Sequence, residues 1–84
     1  GLAANRYLDS MKAGKSALTR GAYAEAEREF ARAARDADTV HDSRAPHAVA
    51  LSQQAVALLE LGRLEAADDL LARAQLEFAE EALA

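Results

Sequence analysis

Apolar residues recur along this chain at helical spacing. Ala26, Phe30, Ala33 and Ala37 stand at i, i+4, i+7 and i+11. Ala67, Leu71, Ala74 and Phe78 repeat that spacing farther on. Such a stripe predicts a helix with one buried face. Two more stretches carry a related pattern. Ser10, Ala13, Gly14 and Ala17 make a small-residue groove that a neighbouring helix could approach closely, and Leu51, Ala55 and Leu58 hold the equivalent face later in the chain. Gly14 costs a helix about 1 kcal/mol against alanine, so a packing reason is expected for it. No window alternates apolar and polar residues, so no strand is expected.

Glycines divide the pattern. Gly21 and Gly62 each follow one helical stretch and precede another, in the contexts Gly21-Ala22-Tyr23-Ala24-Glu25-Ala26 and Gly62-Arg63-Leu64-Glu65-Ala66-Ala67. A glycine just past a helix end takes the left-handed conformation that stops the helix. Four helices follow: Asn5 to Arg20, Tyr23 to Ala37, Pro46 to Leu61, and Leu64 to about Ala82. Pro46 suits a first-turn position because it lacks an N–H. The expected fold is all-α: two stacked antiparallel helix-turn-helix repeats in one domain over residues 1–84. Repeat one covers about 5–37, a polar connector 38–45, and repeat two about 46–82.

The internal repeat narrows the reading. Gly14, the run Gly21-Ala22-Tyr23-Ala24-Glu25-Ala26, then Phe30 and Ala33 resemble the tetratricopeptide repeat signature, over nearly the whole chain. Ala55, Gly62, Leu64, Ala67, Leu71 and Ala74 hold those places in a degenerate second copy. Leucines replace its aromatics, and alanine replaces the first glycine. The glycine turns are 41 residues apart, against about 34 in the family. The extra length lies in 38–46 and resembles the long repeats of the kinesin-light-chain type. There a His-Pro connector precedes the second repeat; here the order is Ala45-Pro46-His47, a partial match.

The resemblance implies an α-α superhelix whose first helices line a concave, partner-binding face. Carried onto this sequence, that face would comprise Leu8, Met11, Lys15, Leu18 and Thr19, then Val49, Ser52, Val56, Leu59 and Glu60. Most are apolar, and an exposed apolar patch usually marks an interaction site. Some family members clamp a peptide carboxylate with lysine and asparagine. Met11 and Lys15 stand where those belong, so that activity is not carried over.

Composition removes other function classes. The chain has 84 residues, so its stability should be marginal. It has no cysteine, which removes disulfides, thiolate zinc sites and cysteine nucleophiles. No run of 18 apolar residues and no signal peptide are visible, so membrane insertion is not expected and the compartment stays unread. The chain starts with Gly1 rather than Met, which reads as processing, a tag remnant or a piece of a longer array. A net charge of −4 argues against nucleic acid. That charge is uneven: residues 1–24 balance at +3 and residues 60–84 at −5, so the ends are complementary.

Candidate chemistry is sparse. His41 and His47 with Asp36, Asp38 and Asp42 form the one cluster that suggests a metal, but Val40 and His41 stand where a calcium loop needs an acceptor and glycine. Capping aspartates in a solvated connector explain the same residues. Gly14-Lys15-Ser16 echoes the end of a phosphate loop without the upstream glycine or strand. Ser10, Ser16, Ser43 and Ser52 lack a nucleophile-elbow context. Glu25–Arg28, Glu29–Arg32 and Arg32–Asp36 read as ordinary surface pairs. Four short helices should leave little room for a pocket of about 300 Å3 or more. No catalytic residue, cofactor or metal site is expected. The sequence points to a scaffold that binds a protein or peptide, with a self-assembling homo-oligomer as the alternative.

Overall fold

Two left-handed glycines stop two helices in the same way. In the computed structural model, which describes residues 1–37 and 43–84, Gly21 and Gly62 hold φ of 78° and 77°. The Gly21 N–H donates to the Leu18 carbonyl (3.1 Å) and Ala22 N–H to that of Ala17 (2.8 Å). Gly62 N–H donates to the Leu59 carbonyl (3.0 Å) and Arg63 N–H to that of Leu58 (2.9 Å). Each pair of bonds satisfies carbonyls that the helix end would leave open.

Among the described residues the chain forms four helices and no strand: α1 (Leu2–Thr19), α2 (Tyr23–Ala37), α3 (Ala45–Glu60) and α4 (Leu64–Leu83). The start of α1 lies three residues before the periodicity places it, because Leu2, Ala3 and Ala4 favour helix although they add nothing to the stripe. Pro46 falls in the first turn of α3. The Ala45 N–H donates to the Ser43 hydroxyl just ahead of it. Residues 38–42 of the expected connector lie outside the described residues.

Successive helices pack against each other: α1 on α2, α2 on α3, α3 on α4. Gln54 Nε2, late in α3, donates to Glu27 Oε2, early in α2, at 2.7 Å, so these helices run antiparallel. The Tyr7 hydroxyl of α1 donates to the Pro46 carbonyl of α3 at 3.1 Å. The N-terminal turns of both first helices therefore meet, and the two run the same way. The chain is a pair of helical hairpins in a slab of about 35 × 29 × 15 Å.

Alanine builds the core. Ala17, Ala26, Ala33, Ala48, Ala50 and Ala57 are fully buried around Phe30, the largest fully buried apolar side chain. Small side chains let the helices approach, and the approach lets one aromatic ring fill what remains. A Cβ placed on Gly14 would stand 2.5 Å from Phe30 Cε1, so the ring occupies the space the glycine leaves. Burying such a ring stabilises by about 1.5–3 kcal/mol.

The second hairpin repeats the small positions but not the large ones. Ala55, Leu58 and Ala67 form a smaller buried cluster. Leu71 is half-buried and Phe78 is 41% exposed, where the stripe predicted burial. The reason is topological. The Phe30 side of α2 lies between α1 and α3, whereas α4 has a helix chiefly on one side. Surface pairing also departs from expectation: Arg32 pairs with Glu29 at 3.0 Å, but Glu25 reaches back to Arg20 at 2.8 Å rather than to Arg28.

Candidate functional site

The ten residues of the expected inward surface fall into five pairs, each 41 residues apart: Leu8 with Val49, Met11 with Ser52, Lys15 with Val56, Leu18 with Leu59, Thr19 with Glu60. Because α1 and α3 run the same way, each pair takes equivalent places on two helices that the Tyr7–Pro46 bond joins near their N-terminal ends. Leu8 is 60% exposed, Val49 and Val56 are each 38% exposed, and Leu59 is exposed as well. Lys15, Thr19 and Glu60 are exposed; Leu18 and Ser52 are half-buried.

Met11 departs from the expectation. It is 6% exposed and belongs to the main core cluster. A long, flexible thioether fills irregular space that alanines leave, so the core claims it. The two hydroxyls are occupied within their own helices: Thr19 donates to the Lys15 carbonyl and Ser52 to that of Ala48, each at 3.0 Å. The side chains free to meet another molecule are the apolar ones, with Lys15 and Glu60 as charged groups beside them.

A depression of about 400 Å3 lies at the α3–α4 turn and is lined by Gly62, Arg63, Leu64, Glu65 and Ala66. It exceeds the volume expected from four short helices, but a single turn of backbone lines it. A second, about 260 Å3, is lined by Arg44, Glu80, Glu81 and Ala84.

A polar cluster that the periodicity does not announce ties α3 to α4. Glu77 is only 1% exposed. Its Oε1 lies 2.6 Å from His47 Nδ1, and its Oε2 accepts from Arg73 Nε at 2.8 Å and Arg44 Nη2 at 3.2 Å. Burial pushes the Glu77 carboxyl up, but bonds from His47 and Arg73, the charge of His47, and the bond from Arg44 together hold it below the ordinary glutamate value. One turn later, Glu81 accepts the Arg44 backbone N–H. That bond, with one from the Ser43 hydroxyl, lowers the Glu81 carboxyl too. Charge counting treats Glu77 as surface acid. The signal that places it inside is its position three residues after Ala74 and ten after Ala67, on the buried side of α4. In α1, burial raises the Tyr7 phenol.

Of the residues weighed as metal ligands, His47 turns to Glu77. Asp38, His41 and Asp42 lie outside the described residues. Among the described residues, no three His, Cys, Asp or Glu side chains gather as a metal site would require. No described helix is long and apolar enough to cross a membrane. The chain matches no protein-family model, no curated protein and no solved structure.

Proposed function

We propose that the chain is a tetratricopeptide-like interaction scaffold, without catalysis of its own, whose α1–α3 face binds an apolar helical segment of a partner protein. The observation that carries this reading is the exposure of Leu8, Val49, Val56 and Leu59 at repeating places on two helices of one orientation. The core closes without them. Apolar side chains repeated on two helices of one orientation suit the i, i+3, i+4, i+7 anchors of an amphipathic helix, and an exposed apolar surface is a common mark of a binding site. Lys15, two turns after Leu8, and Glu60, next to Leu59, supply charges that would orient the bound segment. The equal glycine turns and the Gly14–Phe30 contact are what a tetratricopeptide-like pair of hairpins requires.

The test is a displayed library of amphipathic peptides panned against the chain. Selected peptides should lose at least about tenfold in affinity, close to 1.4 kcal/mol, against Leu8→Asp or Val56→Asp. Circular dichroism should show both variants fully helical. Selected peptides indifferent to both substitutions would refute the reading, as would loss of helicity in both variants, since the residues would then be core.

A further inference from the structure

We propose that the outer face of α4 receives the outer face of α1 from a second copy of this chain, so that copies stack head to tail. On α4 this surface is separate from the α1–α3 face; on α1 it adjoins that face, with Lys12 one turn from Leu8 and from Lys15. The template is inside the molecule: α3 packs against α2, and Gln54 reaches Glu27 across that contact. Moving 41 residues along places Asp68 where Glu27 stands, while moving 41 residues back places Ala13 where Gln54 stands. A second copy docked by the α2–α3 geometry therefore sets Asp68 against Ala13 and its neighbour Lys12. Both Asp68 and Lys12 are exposed. The antiparallel register then carries Phe78 of one copy to the first turn of α1 in the next, where Leu2 is 74% exposed. Phe78 is the aromatic residue of α4, and the single chain leaves it 41% exposed. Burying it against Leu2 extends the helical stack by the rule that already joins the two hairpins.

Charge favours this occupant. Glu77 is neutralised inside, yet Glu65, Asp68, Asp69 and Glu80 remain exposed on α4. Arg6 and Lys12 are exposed on α1, with Asp9 the sole acid of that helix. Like would meet like if two α4 faces paired, so a symmetric α4 dimer is disfavoured. A head-to-tail contact is heterologous and leaves one α1 and one α4 face open, so assembly continues beyond two.

Sedimentation over a concentration series tests this. The mean mass should climb past two chains and fall back as salt screens the exposed charges. K12E and D68K should each weaken association at least about tenfold, because each sets like charges face to face. Mixing the two variants should restore assembly, since each front then meets an opposite back. F78E should also prevent association. A single-chain mass at every concentration, a mass that stops at two, or a K12E and D68K mixture that stays dissociated would overturn the proposal.

Discussion

Phe30 lies so close over Gly14 that a methyl group on the glycine would stand 2.5 Å from the ring. The second hairpin solves the same contact differently, with Ala55 and Leu71 in those places. The glycine goes with the larger partner and the alanine with the smaller.

Gly14→Ala should therefore destabilise. The overpacking penalty is typically about 1–3 kcal/mol, and the better helix propensity of alanine returns about 1 kcal/mol of it. Gly14→Ala with Phe30→Leu reproduces the second hairpin's pair and should lose less than the two single changes together. Urea melts of the four proteins give the coupling. Strict additivity would mean that the ring does not press on residue 14.

Gly21→Ala and Gly62→Ala should cost nearly the same. Both sites have φ near 78° and open space where a Cβ would go, so the penalty is backbone strain alone, about 1–2 kcal/mol at each. Thermal melts decide this, at about 4–8 °C per kcal/mol for a domain of this size. A large loss at one glycine and none at the other would break the equivalence of the turns.

Acid should loosen the α3–α4 junction. Glu77 holds a lowered pKa in the folded chain, so between that value and the ordinary 4.5 the unfolded chain binds more protons. Its contribution is complete above 4.5 and disappears as pH falls from there through the lowered folded value. Glu77→Gln should cost about 1.5–3 kcal/mol at neutral pH, the range for hydrogen bonds to a charged group. The gap between wild type and variant should narrow once pH drops below 4.5. A gap that stays constant across that range would show that the charge of Glu77 contributes nothing. Glu81 titrates in the same direction and remains in the variant as a smaller background dependence.

Much of this fold is legible because the signals are local. A glycine after a helix and alanines at i, i+7 dictate turns and buried stripes without knowledge of distant residues. That is why Gly21, Gly62, Ala26, Ala33, Ala67 and Ala74 sit where periodicity places them. The less legible features depend on which helix lies across the way. Phe78 shares the spacing of a core residue but stays 41% exposed, while Glu77 looks like surface acid yet meets Arg44 and His47 from about thirty residues earlier. On the proposed binding face, Met11 has the register of its neighbours, but its flexible side chain turns inward to fill space that the core alanines leave.

The most direct test of a single binding face shared by α1 and α3 is methyl-resolved NMR during titration with a library-selected helical peptide. The methyl groups of Leu8, Val49, Val56 and Leu59 should shift together and fit one dissociation constant, while those of Leu76 and Leu83 on α4 stay still. Shifts confined to α4, or separate dissociation constants for α1 and α3, would contradict it.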